Sequence, residues 1–257
     1  MNSINYCGNP NLYAELNATN IIPSMEAGAM FGPGRWIDID DEKLHHFGAI
    51  DPYVYWIYTN PDPDRYCMIY REIETGFRFI PTPCLDCWKV VVIPRSFHEL
   101  MQLYELQKQL IKDNPKCWCK CGVESRDTVG RHYGGYFYTP SKEVGLQRYE
   151  TVRKAVDEYI NKDVTVLLKR YCTEFEMRYG PSDKYEPPPH AKEIEKEVFA
   201  NIVLKQQSKV QPEFVRRHVI QRWMIFAHGR ADPTVRLYNN NKPLFPDYVT
   251  YHDKPKE

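Results

Sequence analysis

Between residues 53 and 93 the apolar positions come in short runs cut by turn residues. Residues 53–58 are aromatic and β-branched, Asn60-Pro-Asp-Pro-Asp64 breaks the run, and residues 66–73 and 77–80 follow on either side of Gly76. Such runs between Pro, Gly and Asp read as strands, so an antiparallel meander is expected over about 53–80, with Cys67 a buried strand thiol. The segment 88–93, closed by Pro94, has the length and branching of a buried strand.

The period then becomes helical. Phe97, Leu100, Leu103, Tyr104, Leu110 and Ile111 share one face, Ser96 and Glu99 form a capping box before them, and Asn114-Pro115 ends the helix. Residues 134–138 read as a strand entered through Gly134-Gly135. A helix capped by Ser141 follows, with Tyr149, Val152, Val156 and Ile160 inward, then a buried strand at 164–168. This alternation permits right-handed crossovers and a partly parallel sheet. After a proline-rich connector at 180–190, Ile194, Val198 and Ile202 mark one helix. Val215, Val219, Trp223 and Phe226, between Pro212 and Gly229, mark a second. Two short extended pieces are expected at 235–238 and 248–251.

Residues 1–50 have no clean period and read as an extended arm, with a short helix at 42–47 capped by Asp40. The expected fold is α+β. A meander (53–80) joins a β-α-β-α-β region with a partly parallel sheet, followed by a C-terminal helical pair. The expected division is an N-terminal arm (1–50), an α/β core with a cysteine-rich metal site (51–180) and a C-terminal helical segment packed on that core (190–257).

A chain of 257 residues fills one large domain or two small ones. Its 34 basic and 34 acidic residues balance, so no global field draws nucleic acid. Arg131 and His132 beside Tyr133, Tyr136, Phe137 and Tyr138 form a pattern that can stack single-stranded bases. Alternating strand aromatics are more simply core, so nucleic acid is a subordinate reading. Arg216, Arg217 and Arg222 read as a solvated helix face. No run of about 18 apolar residues and no leader pattern is evident. We therefore expect a soluble, cytoplasmic protein off the membrane, with reduced thiols.

The strongest chemical signal is cysteine. Five of the eight lie in Cys84-Leu-Asp-Cys87 and Cys117-Trp-Cys119-Lys-Cys121-Gly122. Paired cysteines at such spacing suit a four-thiolate metal site. The expected ligands are Cys84, Cys87, Cys119 and Cys121, with Cys117 as an alternative and Gly122 supplying a left-handed turn. A strand going up and a helix coming down would bring both pairs to one sheet edge. Zinc is the first expectation. A [4Fe–4S] cluster is the alternative, favoured by the spare cysteine and by Trp88 and Trp118.

The opposite edge would hold the strand carboxyl ends, where ligands bind in α/β sheets. Its candidates are Arg95, Lys169, Arg170, Cys172 and Glu174, with Thr139 beside them. Lys169 and Arg170 would lower the Cys172 pKa. Asp38, Asp40, Asp41, His45 and His46 are a weaker cation candidate. The motifs GxxxxGK[ST], GxGxxG and HExxH are absent, leaving the usual nucleotide-binding and metalloprotease readings unsupported. Two functions remain. One is a binding or assembly protein with a structural metal and an unidentified protein partner. The other is an iron–sulfur redox enzyme or accessory protein with Cys172 near its site.

Overall fold

A computed structural model describes residues 36–40, 43–46, 54–61, 66–126, 129–200, 202–204, 211–246, 248–249 and 251. Five strands form the main sheet: β3 (Trp56–Asn60), β4 (Trp88–Ile93), β5 (Cys119–Val123), β6 (Tyr133–Thr139) and β7 (Thr165–Arg170). Their order is β3-β5-β6-β4-β7, and every neighbouring pair is antiparallel. The expected partly parallel sheet is therefore incorrect for this region. Its error was to read Cys119–Val123 as a metal loop rather than a strand. Once β5 is a strand, the short connection to β6 makes an antiparallel neighbour.

Two helices complete the unit, α3 (Phe97–Asp113) between β4 and β5, and α4 (Lys142–Tyr159) between β6 and β7. β4 and β5 run the same way with β6 between them; β6 and β7 run the same way with β4 between them. This β-α-β-β-α-β order is the split arrangement of ferredoxin-like folds. Both predicted caps form. The Ser96 hydroxyl accepts from the Glu99 N–H at 3.2 Å, and the Ser141 hydroxyl accepts from the Val144 N–H at 3.3 Å. The Glu99 carboxylate, however, turns to the Arg95 N–H and guanidinium.

The expected meander is also overturned. Residues 67–77 form a helix, α1 (Cys67–Phe77), which puts Cys67 at a helix start rather than inside a strand. Ile69, Ile73 and Phe77, spaced by four, bury against Ala191 and Val198 of α6 (Ala191–Ala200). A one-turn helix α2 (Thr82–Leu85) precedes β4, and α5 (Thr173–Tyr179) follows β7. The C-terminal helix α7 (Glu213–Gly229) packs Val215, Val219 and Trp223 into the main core. A 3₁₀ segment (Pro233–Tyr238) stands where a strand was expected.

The main core lies on one face of the sheet. Val90 and Val92 of β4, Cys119, Cys121 and Val123 of β5, and Tyr133 and Phe137 of β6 meet the helical residues Phe97, Leu100, Leu103, Val152 and Val156 there. Burying such side chains contributes about 1.5–3 kcal/mol each before entropy is counted. Polar ties fix the layers. Gln107, fully buried on α3, donates to the Lys120 carbonyl at 2.9 Å and accepts from the Thr59 hydroxyl at 2.7 Å. The Trp223 indole donates to the Tyr55 carbonyl at 2.7 Å.

Separately, β1 (Trp36–Asp40), β2 (Lys43–His46) and β8 (Ile202–Leu204) form a three-stranded sheet in which β2 and β8 are parallel. The short helix expected at 42–47 is thus replaced by a strand. Asp41 and most of the expected arm lie outside the described residues.

Candidate functional site

Antiparallel pairing of β4 and β7 sets the geometry of the cysteines. Trp88, at the start of β4, pairs with Arg170, at the end of β7. The residues following β7 therefore return to the turn that precedes β4. The Tyr171 N–H donates to the Cys87 carbonyl at 2.9 Å, and the Arg170 Nε donates to the Leu85 carbonyl at 2.6 Å. The buried Tyr171 has φ +28°, a strained value that turns the chain from β7 into the N-cap residue of α5, Cys172.

Cys67, Cys84, Cys87 and Cys172 consequently line one narrow, partly enclosed pocket, with Tyr70, Arg71, Pro83, Tyr171 and Phe175 as its other walls. Four separate segments supply them: the start of α1, α2, the turn after α2, and the start of α5. Each is tied down. The Cys87 N–H donates to the Cys84 carbonyl at 3.1 Å. Glu195 of α6 accepts from the Thr82 N–H at 2.6 Å and from its hydroxyl at 2.5 Å, holding α2. Buried Glu74 of α1 accepts from Arg178 and from the Tyr179 hydroxyl, joining α1 to α5.

The charges around this pocket are unusual for an interior. Lys89, 5% exposed and the second residue of β4, places its ammonium 3.5 Å from the Cys172 Sγ. Burial is the largest influence on Cys172 and would raise its pKa, but Lys89, Arg71 and Lys120 together outweigh it, and the thiol is lowered. Burial would likewise depress Lys89, yet Cys172, Cys87 and Cys67 hold it above its usual range. Cys84 is pushed up by burial and by the neighbouring Cys172, Cys87 and Cys67. Burial brings Lys120 and Lys169 down to about 8.

The other candidates fall in different places. Cys117, Cys119 and Cys121 belong to the main core, on the helix-covered side of the sheet. Cys119 donates to Cys117, which lowers Cys117 and raises Cys119, while burial raises Cys121. The structure thus groups Cys84 and Cys87 with Cys67 and Cys172, and apart from Cys119 and Cys121. Gly122 has no left-handed φ. Its small size is needed because an added Cβ would lie 2.1 Å from the Tyr55 carbonyl oxygen.

Of the expected opposite-edge group, Lys169, Arg170, Cys172 and Glu174 lie at the Cys84–Cys87 end, because β7 runs antiparallel to β4. Arg95 alone stays at the far end, paired with Glu99 and Asp163. Lys169 pairs with Glu176, and Glu174 with Arg71 and Arg126. Arg170 is spent on the Leu85 and Ser182 carbonyls. Tyr136 is buried, against the base-stacking reading.

Sequence reasoning missed Cys67 and Lys89. The spacing of Ile69, Ile73 and Phe77 would have placed Cys67 on a helix. A single lysine within Trp-Lys-Val-Val-Val-Ile was the visible sign of Lys89. Among the described residues no three Cys, His, Asp or Glu side chains gather tightly enough to hold one metal ion, and no helix is long and apolar enough to cross a membrane. Comparison of the chain with protein-family models, curated proteins and solved structures gave no match.

Proposed function

We propose that this chain binds an iron–sulfur cluster through Cys67, Cys84, Cys87 and Cys172. The observation that carries the reading is that four of the nine residues lining one pocket are cysteines, in a chain with eight in all. Thiolates on a single zinc sit about 2.3 Å from the ion and so about 4 Å from one another. No such grouping exists among the described residues. A cluster also takes four thiolates, but its own irons and sulfides separate them. Lys89 fits the same picture, since its ammonium, 3.5 Å from the Cys172 sulfur, favours thiolate at that ligand. Cys67 and Cys172 thus take the place of the sequence-derived Cys119 and Cys121, and the cluster is preferred because four thiols from separate segments line one pocket.

The test is purification of the full chain without oxygen, followed by iron, sulfide and zinc determination and a visible spectrum. A brown protein with near-equal iron and acid-labile sulfide, lost in Cys87→Ser, is the expected result. A colourless protein with one zinc per chain would replace the cluster by zinc. A protein with neither would end the metal reading.

A further inference from the structure

Among the cations near the pocket, Lys169 pairs with Glu176, Arg71 with Glu174, Arg126 with Glu124 and Glu174, and Arg178 with Glu74. Arg170 donates to the Leu85 and Ser182 carbonyls. Among the described residues, Lys89 and Lys120 have neither kind of partner. Lys89 donates to the Cys172 sulfur and faces the Tyr136 and Tyr138 rings at 5.9 and 5.8 Å. The Lys120 ammonium stands over the rings of Trp56, Tyr136 and Tyr58 at 4.5, 5.5 and 5.6 Å. Neither is paired with a carboxylate among the described residues. Lys89 is buried and Lys120 half-buried, and an ammonium drawn out of water is costly without a counter-charge. Both belong to the sheet face turned away from the main core, the face that Cys172 meets through Lys89. A purely structural thiolate site, needing only ligands and apolar packing, gives no reason for them.

We propose that Lys89, assisted by Lys120, makes the thiolate-bound cluster a one-electron redox centre by favouring its reduced state. This rests on the cluster reading above. The step is the gain of one electron from a low-potential one-electron donor and its return to a one-electron acceptor, with no bond made or broken. Reduction adds one negative charge to the cluster. An ammonium donating to a ligand sulfur interacts directly with that charge, and the low dielectric of the interior strengthens the effect. Hydrogen bonds to sulfur, net charge and solvent exposure are the levers that set cluster potentials. Lys89 supplies the first, and both lysines supply the second. Lys89 is here a positioning and tuning residue, acting through Cys172.

The experiment compares the intact wild-type chain with Lys89→Met, Lys89→Gln and Lys120→Met, all purified without oxygen. Iron and sulfide per chain are measured first, then the midpoint potential by reductive titration followed in the visible spectrum. The expected result is a cluster still bound in every variant, with the potential read on the iron retained, because Lys89 touches a ligand sulfur without being a ligand. At a fixed poise, the ratio of reduced to oxidised centre should fall about tenfold in both Lys89 variants, a shift of about 59 mV for one electron. Lys120→Met should shift it less, in the same direction. Retained iron with an unmoved potential in the Lys89 variants overturns this inference while leaving the cluster in place. So does a wild-type cluster that accepts no electron. A wild-type chain without iron overturns the cluster reading and this inference together. If one Lys89 variant fails to fold, the other and Lys120→Met still decide the matter.

Discussion

The chain uses cysteine in two contrasting ways. Cys119 and Cys121, together with Cys117, are at most 1% exposed and sit among Val90, Val123, Phe137 and Leu103 under the helices. They behave as small apolar residues that fill space between β5 and α3. Cys67, Cys84, Cys87 and Cys172 instead border a pocket whose walls include Arg71, and Lys89 touches one of their sulfurs. The difference teaches that close spacing in sequence did not decide which thiols meet. Cys119 and Cys121 are two apart on a strand and so point to one face, where the helices cover them. Cys87 and Cys172 are far apart in sequence and become neighbours because β4 and β7 pair antiparallel.

The largest expected effect comes from exchanging serine into each group. Cys84→Ser and Cys172→Ser should lose nearly all bound iron, whereas Cys119→Ser should keep it and lose stability, by about 1–3 kcal/mol, from a hydroxyl placed in the apolar core. Iron analysis and urea midpoints on the same preparations separate the two. Iron lost from Cys119→Ser and retained by Cys172→Ser would exchange the roles of the groups.

Next in size is Gly122→Ala. Its Cβ would press on the Tyr55 backbone, which cannot step aside as a side chain can. The expected cost is about 3 kcal/mol, seen as a lower urea midpoint, with metal content per folded chain unchanged. A loss of metal without loss of stability would tie Gly122 to the site after all.

A smaller, pH-dependent effect belongs to the core side. Asp232 accepts from the Phe97 N–H, the Tyr133 hydroxyl and the Thr234 N–H. Burial would raise its pKa, but hydrogen bonds from Thr234, Tyr133 and Phe97 outweigh it and hold the carboxyl below its usual range. A depressed carboxylate stabilises the fold fully above the unfolded-state value, and that stability is lost as pH falls through the lowered one. Asp232→Ala should cost about 1.5 kcal/mol at neutral pH and flatten the acid side of the stability curve. A variant with the wild-type slope would show that Asp232 is not the group responsible.

Arg95→Ala should do least. Its guanidinium lies at the far end of the sheet, half exposed beside Glu99 and Asp163. Glu99 is buried, however, and would keep only the backbone N–H at position 95, so the unfolding midpoint should fall slightly, with metal content and spectrum matching wild type. A changed spectrum would mean that the two ends of the sheet communicate.

Local signals were legible in the sequence wherever a few adjacent residues settle the matter. Ser96 and Ser141 begin their helices because a hydroxyl satisfies an N–H three residues on, and Asn114-Pro115 ends one because proline excludes the helical conformation before it. The run Trp88–Ile93 is a strand with the expected ends, and α7 buries the expected residues Val215, Val219 and Trp223. The cysteine-rich stretch was visible, but its partition into a pocket and a core was not. Residues 67–77 had enough aromatic and branched side chains to look like strand. They became helix because Ile69, Ile73 and Phe77 find Ala191 and Val198, more than a hundred residues away, on one face. Strand direction was likewise out of local reach, since it depends on which strands pair across the sheet. Only the tertiary structure carried Cys172 back to Cys84 and Cys87 and set Lys89 beside it, because hydrogen-bonded pairing and burial join residues without regard to their separation along the chain.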